Sequence, residues 1–406
     1  MKLARLAVAY LASRPLLTAL NVTMLALGVA TIVFLLLATG QSEERLARDA
    51  KSVDLVVGAK GSPLQLILSA VFHADVPTGN IGFDEAQALV RNPMVASATS
   101  IALGDSFLGY RIVGTDASFL GLYDARIAQG KLFADEMEVV LGAEVARRHA
   151  LSPGARITGS HGLAKAGATH DDHPYTVTGV LAPTGSVIDR LVVTPVDSVW
   201  EVHGHHRPVP GAGAGPGVAP PPAGSRLEIT ALLIRYATPL AAAMLPRAIN
   251  SSTAMQAASP AYETAKLLNL LGAGVETLQW FAVVLMASAA LSVFVALTSA
   301  LQERRYDLAL LRTLGARPAS LAVLTLTEGV TLLVAGVILG LALGHGATHA
   351  LGLWLAQSGS WPLTGFCWVA GEGVLVTAVL AIGSLTCLVP AVQAYLSDPS
   401  TLLARR

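Results

Sequence analysis

The chain has 406 residues, of which 53% are hydrophobic and 13% are charged, and its formal net charge at pH 7 is zero. The charged share is about half that of an ordinary soluble domain, and the mean hydropathy of +0.58 indicates that lipid solvates part of the chain. The balanced charge excludes the strongly basic composition of nucleic-acid-binding proteins. The only cysteines, Cys367 and Cys387, cannot form a disulfide framework or a CxxC metal site.

Four stretches are apolar over the roughly 20 residues that a helix needs to cross a bilayer. They predict transmembrane helices at residues 16–39, 278–301, 320–343 and 368–392. The first follows basic residues, as a signal peptide does, but its apolar region is too long and no small-x-small site closes it. We therefore interpret it as an uncleaved anchor. Residues 1–15 have apolar and basic positions at helical spacing, so this N-terminal segment either lies along the membrane surface or extends the first helix.

The basic residues predict the orientation. They precede the first span, occupy the loop at 302–319 and close the tail at 393–406, whereas the loop at 344–367 has no Lys or Arg. Basic loops stay on the cytoplasmic side. Both termini and the 302–319 loop are therefore predicted to be cytoplasmic in a multi-pass protein of a bacterial inner membrane. Residues 40–275 and 344–367 are predicted to face the periplasm.

Residues 40–275 are long enough for an independent domain, and strand-like and helix-like segments alternate in it. The predicted fold is an α-helical membrane protein of four transmembrane helices, with a mixed α+β periplasmic domain between helices 1 and 2. Polar helical stalks are expected at 41–51 and 259–271. The Pro/Gly/Ala segment at 203–224 predicts a flexible loop. That loop either projects from the domain or separates a main lobe from a smaller lobe at 226–260.

The segment between the second and third spans is the most informative part of the sequence. By composition it is an ordinary basic cytoplasmic loop. However, ERRYDLALLRTLGARPASLAVLTLTEG resembles the signature of the MacB/FtsX/LolCE family of ABC-transporter permeases, in which an arginine-rich start, an apolar LLRTLGA core and a glutamate in the next span recur. The N-terminal ARLAVAYLASRPLLTALNVTMLALGVA, the periplasmic stretch from GTDASFLGLYDARIAQG onward and the C-terminal PAVQAYLSDPSTLLARR also resemble this family. The resemblance covers nearly the whole chain, and the proline-rich loop departs from it.

The resemblance implies a permease subunit for export, lipoprotein movement or another envelope-related transport process, which works as a homodimer or with a closely related permease. A separate cytoplasmic ATPase would bind ATP and Mg and would contact the loop between the second and third spans. ATP binding and hydrolysis would move the stalks and periplasmic domains, which is called mechanotransmission. A periplasmic binding or adaptor protein would be a further partner. The implied coupling residues are Glu303, Arg304, Arg305, Tyr306, Leu310, Leu311, Arg312 and Gly315.

The residues themselves do not predict an enzyme. The chain has no GxxxxGK[ST] P-loop, so the ATPase must be another chain, and it has no GxSxG or HExxH motif. Two alternatives stay open. One is an FtsX-like transmitter of signals that controls a periplasmic partner and transports nothing. The other is a membrane-anchored metal-binding protein, or a permease linked to zinc handling.

Two sets of polar residues are further candidates. Glu328 lies inside the third span, where a carboxylate is costly, and a structural hydrogen bond at a helix or dimer interface is favoured over a direct functional role. Glu372, near the outer end of the fourth span, is expected to reach the headgroups. Histidines beside carboxylates suit zinc, although loop histidines without fixed geometry are the more economical interpretation. The candidate metal ligands are His170, His173, His203, His205, His206, His345 and His349.

Overall fold

The computed structural model describes residues 2–162, 173–203, 227–303, 312–357 and 363–396. Within this part of the chain, four helices are long and apolar enough to cross a membrane. A mixed α/β domain lies between the first and second of them, so the predicted fold class is confirmed. The four helices are α2 (Pro15–Ala50), α9 (Pro260–Glu303), α10 (Pro318–Gln357) and α11 (Ala370–Leu396).

The helices extend well beyond the apolar stretches. α2 continues through its polar residues to Ala50, and α9 begins at Pro260 and runs unbroken into its apolar stretch. α10 continues to Gln357, so the first half of the predicted 344–367 loop is helical. The prediction ended this helix too early, because the segment beyond residue 343 is less apolar and yet contains no proline to stop a helix.

The N-terminal segment is a separate helix, α1 (Lys2–Ala12), and is no plain extension of the first span. The break falls immediately before Pro15, which begins α2. Proline suits the first turn of a helix but cannot continue one from the preceding turn, because it lacks an N–H and its ring clashes with the backbone there. Pro15 therefore accounts for the break between α1 and α2.

The chain divides into two compact units. The membrane unit comprises residues 1–42 and 270–406, and the outer unit comprises residues 43–269. Each has its own apolar core, with Val29, Val293 and Leu333 among the buried side chains of the membrane unit.

A row of glycines lets α10 approach α2 closely. A Cβ atom added to Gly340 would lie 2.6 Å from the Cβ of Val29, and Gly336 and Gly344 meet α2 in the same way one turn before and one turn after. Small residues at this four-residue spacing allow helix backbones to pack tightly in membranes. The glycine row, residues 336, 340 and 344, therefore fixes the pairing of these two helices.

The outer unit is built on one large mixed sheet. Its strand order in the described residues is β13-β1-β12-β3-β4-β10-β6-β9-β5, with β7 paired to β9 and β8 paired to β3, and β2 pairs with β11 separately. The pairs β4–β10 and β6–β9 are parallel, and the other pairs are antiparallel. The strands are β1 (Leu55–Ala59), β2 (Ile81–Gly82), β3 (Val95–Phe107), β4 (Tyr110–Thr115), β5 (Ile127–Gly130), β6 (Glu138–Leu141), β7 (Arg156–Ile157), β8 (Ser160–His161), β9 (Tyr175–Leu181), β10 (Val192–Pro195), β11 (Glu228–Ile229), β12 (Ala231–Tyr236) and β13 (Met255–Ala258).

Short helices cover this sheet. In the part of the outer unit that the structure describes, one apolar cluster includes Leu55, Trp200 and Ile234, and another includes Tyr175 and Val192. The helices are α3 (Pro63–Ala70), α4 (Phe83–Val90), α5 (Ser118–Leu122), α6 (Ala143–His149), α7 (Val196–Val202) and α8 (Pro239–Ser252), and a 3-10 turn covers Val187–Arg190.

One hypothesis about the outer domain is wrong. Residues 226–260 do not form a smaller lobe, because β12 pairs with both β1 and β3 in the centre of the sheet. The consecutive residues Ala231–Ile234 are all buried, as expected for a central strand that has both faces covered. Strand β4 was missed in the sequence because Arg111 interrupts its apolar run. The Arg111 guanidinium donates through Nη2 to the Asp75 carbonyl, and its Nε has no hydrogen-bond partner among the described atoms.

Candidate functional site

The break between α1 and α2 lies beside the end of α9. The Arg14 guanidinium forms an ion pair with the carboxylate of Glu303, the last residue of α9. Thr18 Oγ1 donates to the Leu11 carbonyl at 2.9 Å across the break. Because Glu303 is a predicted coupling residue, this contact links the start of the predicted coupling loop to the first membrane helix. We call it the cytoplasmic junction, after the side of the membrane that the sequence predicts for it.

Glu328 lies inside the membrane unit, next to this junction. It is buried, and together with Tyr10, Arg14 and Asn21 it lines a cavity of about 30 Å³ between α1, α2, α9 and α10. A polar cavity of this size can hold a water molecule. Oδ1 of the buried Asn21 has no hydrogen-bond partner among the described atoms, so a water would satisfy it. This environment fits the structural hydrogen-bonding role, which stays a prediction for Glu328.

The predicted coupling loop is described only at its ends. Gly315 has φ +97°, a left-handed conformation that favours glycine, and its N–H donates to the Arg312 carbonyl at 3.0 Å. The preceding Leu314 is 77% exposed. The coupling assignment stays a prediction for all of these residues, and Arg304, Arg305, Tyr306, Leu310 and Leu311 lie outside the described part.

At the other end of the membrane helices, polar side chains hold the loop 363–369 between α10 and α11. Gln41 of α2 exchanges two hydrogen bonds with the backbone of Thr364, Nε2 to the carbonyl and the N–H to Oε1, both at 2.9 Å. The His345 ring on α10 contacts the Gly365 carbonyl through Nδ1 at 2.7 Å. The loop is therefore tied to two membrane helices by side chains. We call this arrangement the outer clasp.

Glu372 of α11 completes the outer clasp. It is 0% exposed. Its Oε1 accepts from the Val369 N–H at 3.0 Å, and its Oε2 lies 2.9 Å from His345 Nε2. Because a carbonyl only accepts, His345 Nδ1 is the donor in the bond to Gly365. The expectation that Glu372 reaches the headgroups is wrong, since both carboxylate oxygens have partners inside the membrane unit.

The described residues give the metal hypothesis no support. Both ring nitrogens of His345 are engaged in the outer clasp, and the His349 ring stands edge-on to Phe366 with centroids 4.8 Å apart. Within the ranges that the structure covers, no group of three or more His, Cys, Asp or Glu could hold a metal ion, which includes His173 and His203. The remaining candidates lie outside those ranges, and metal binding by them stays a prediction: His170, His205 and His206.

In the outer unit, the polar end of α2 contacts the turn at 184–190. The Asp49 carboxylate is buried and accepts from the Val187 N–H at 2.9 Å, and Arg48 donates to the Gly185 carbonyl at 3.2 Å. Gly185 has φ +73°, which allows the turn to present its backbone in this way. This outer junction fixes the last turn of α2 to the outer unit through charged side chains on backbone groups.

Replacement of Asp49 by Asn is expected to stabilise the protein near neutral pH and not below about pH 4. Burial raises the pKa of Asp49 to about 6, although the Val187 N–H, Arg45 and Arg48 act in the opposite direction. Because this pKa lies above that of the unfolded chain, the folded state binds the proton more tightly. Stability therefore falls as the pH rises from about 4 to about 6 and then levels off. A gain on the order of 2 kcal/mol is expected for the Asn variant above that window.

Thermal melting of the full chain and of Asp49→Asn between about pH 5 and pH 8 tests this expectation. Glu43→Gln is the matched control, because it removes an exposed carboxylate from the same helix. Parallel melting curves for the wild type and Asp49→Asn across this range would contradict it.

Family models match two parts of the chain. A model of the MacB-like periplasmic core domain matches residues 18–261, more than half of the chain, and a model of the FtsX-like permease C-terminal region matches residues 280–398. The chain belongs to the MacB/FtsX-like family of ABC-transporter permeases. The predicted resemblance is thereby confirmed. This family comprises membrane components of transporters, in agreement with the four helices in the described part of the chain that are long and apolar enough to cross a membrane.

Solved structures show weaker similarity. The periplasmic region of MacB from Actinobacillus actinomycetemcomitans is 11% identical, with 55% of this chain and 98% of that chain covered and a TM-score of 0.35. The extracellular domain of the noncanonic ABC-type transporter YknZ from Gram-positive bacteria is 12% identical, with 50% and 98% covered and a TM-score of 0.30. A domain of a putative permease protein from Porphyromonas gingivalis is 13% identical, with 51% and 86% covered and a TM-score of 0.25. No match was found among curated proteins.

Proposed function

We propose that this chain is the permease subunit of an ABC transporter, in which a separate cytoplasmic ATPase moves the outer unit through α2 and α9. The main support for the proposal is that α2 and α9 are each one continuous helix. Each of these helices contains an apolar membrane stretch and residues of the outer unit within one unbroken element, Pro15–Ala50 or Pro260–Glu303. A continuous hydrogen-bonded helix transmits displacement along its axis, because sharp kinks need specific breaks.

Both ends of α2 have contacts suited to this role. The cytoplasmic junction joins Arg14 to Glu303, and the outer junction joins Arg48 and Asp49 to the turn at 184–190. The exposed Leu314 offers an apolar contact for the ATPase at the end of the coupling loop. The protein would act as a dimer in a bacterial inner membrane with both termini in the cytoplasm.

Capture of the ATPase by the full chain tests the proposal. The wild-type membrane protein is expected to retain a partner that hydrolyses ATP, and a variant combining Arg304→Glu, Arg305→Glu and Leu311→Asp is expected to lose it. Arg317→Glu is the control, because it reverses a charge of the same loop outside the predicted coupling set. If the wild-type chain captures no ATPase, or the triple variant captures it equally well, the proposal is wrong.

Charge reversal at the cytoplasmic junction is expected to uncouple ATP hydrolysis from movement of the outer unit. Glu303 is 60% exposed, so its pair with Arg14 adds little stability. Glu303→Arg should therefore leave the melting temperature nearly unchanged, while permease-dependent stimulation of ATP hydrolysis falls about fivefold or more, on the order of 1 kcal/mol of coupling. The double variant Arg14→Glu with Glu303→Arg restores an ion pair and should recover the stimulation. A double variant as inactive as the single one would refute this role.

A further inference from the structure

The outer unit contains a cavity of about 380 Å³ that neither junction uses. This volume lies in the range of small-ligand sites. Strand β3, the end of α7, strand β11 and the loop before β2 form the cavity. Its polar and aromatic lining consists of Asn80, Trp200, His203, Glu228 and Thr230, with Gly104 on the strand.

The walls are held in place by bonds that do not involve a ligand. Trp200 Nε1 donates to the Glu228 carbonyl at 2.7 Å, which joins α7 to β11. The Trp200 ring also stands edge-on to Phe83 with centroids 5.1 Å apart. The Leu103 N–H donates to Thr230 Oγ1 at 2.9 Å. A ligand would enter a preformed site, so little binding energy would be lost in ordering side chains.

The chemistry of the lining selects the ligand. Thr230 Oγ1 donates to Asn80 Oδ1 at 3.2 Å. The NH₂ group of the Asn80 side chain can therefore donate to a ligand. Glu228 offers an exposed carboxylate. The buried Asp105 carboxylate lies 3.7 Å from Nε2 of the lining residue His203. None of the described lining residues is Lys or Arg. The cavity is therefore electronegative and also presents a donor.

We propose that this cavity binds an α-ammonium group together with its neighbouring carbonyl, as found at the amino terminus of a peptide or in a free amino acid. The ammonium group pairs with Glu228, the carbonyl oxygen accepts from the Asn80 amide, and the first side chain lies against Leu103 and Val199. A charge-assisted bond and a neutral one then fix both polar ends of the ligand. A divalent metal fits less well, because the described residues bring no three metal-binding side chains together. This site is independent of the ATPase.

Calorimetry on the full chain tests the site with three probes: trialanine amide, its N-acetylated form and free alanine. Trialanine amide is expected to bind, and N-acetylation is expected to weaken binding at least about 10-fold, since it removes the charge that Glu228 pairs with. Glu228→Gln should have an effect of similar size. Glu136→Gln, which removes an exposed carboxylate elsewhere in the outer unit, should have none. Weaker binding of free alanine than of the peptide identifies a peptide amino terminus, and equal binding identifies a free amino acid.

A second variant tests the location. A Cβ atom at Gly104 would lie 3.1 Å from His203 Nε2, so Gly104→Val fills the cavity and should abolish binding of trialanine amide. The melting temperature of each variant verifies folding. Absence of binding by both trialanine amide and free alanine, equal binding of the acetylated peptide, or unchanged binding to Glu228→Gln would each overturn the proposal.

Discussion

Replacement of Gly340 by Leu is expected to prevent stable packing of the first and third membrane helices. A Cβ atom at this position would lie 2.6 Å from Val29 Cβ and 2.9 Å from the Ala26 carbonyl oxygen. The carbonyl belongs to the backbone of α2 and cannot move aside as a flexible side chain can. The helices must therefore separate along the whole glycine row. Overpacking of a core costs about 1–3 kcal/mol, and we expect the Leu variant to exceed that range and Gly340→Ala to fall within it.

The matched control lies on the same helix. Gly346 has no heavy atom within 4 Å of an added Cβ, so Gly346→Ala should melt at or above the wild-type temperature, because alanine favours a helix over glycine. The full-length proteins would be compared by thermal melting in detergent and by yield from the membrane. Equal losses at the two glycines would contradict the argument from close approach, because the Cβ added at Gly346 meets no described neighbour.

The sequence predicts the architecture because its signals are local. Four apolar stretches predict four membrane helices, and alternation between them predicts the α+β domain. The GxxxGxxxG spacing at residues 336–344 also indicates a packing face, although nothing in the sequence says that Val29 and its neighbours on α2 are its partner. The sequence likewise does not predict the strand order, because β12 pairs with β1 across more than 170 residues of chain.

The candidate contacts were harder to predict than the fold. Arg14 was interpreted only as a topology signal and Glu303 only as part of the coupling loop, because their pairing joins residues almost 300 positions apart. Asp49 looks like an ordinary polar residue of a stalk, and its burial depends on a turn more than 130 positions further along the chain. Two signals were available in the outer clasp: a carboxylate at the start of an apolar helix, and a histidine at the end of the preceding one. Histidine with carboxylate suggested a metal site only as the less favoured alternative, and His345 and Glu372 instead hold a loop.

Removal of the Glu372 carboxylate is expected to release the loop at 363–369. In Glu372→Ala the Val369 N–H and His345 Nε2 both lose their partner in a buried site. An unsatisfied buried polar group costs about 1–3 kcal/mol, so a loss on the order of 3 kcal/mol is expected. Glu372→Gln should retain most of the stability, because its amide can accept from Val369 and donate to a neutral His345.

A double-mutant cycle separates this bond from general packing. If the two side chains act through one another, the double variant Glu372→Ala with His345→Ala should lose less stability than the sum of the two single losses. The expected difference in the free energy of unfolding is at least about 1 kcal/mol. Glu276→Ala, which removes an exposed carboxylate of the membrane unit, should cost little. Additive losses from thermal melting would refute the contact. Hydrogen exchange at the loop supplies the local readout, since amides at 363–369 should exchange faster in Glu372→Ala than in Glu372→Gln. The outer clasp ties this loop to three of the four membrane helices, so its release would loosen their outer ends while the glycine row still holds α10 to α2.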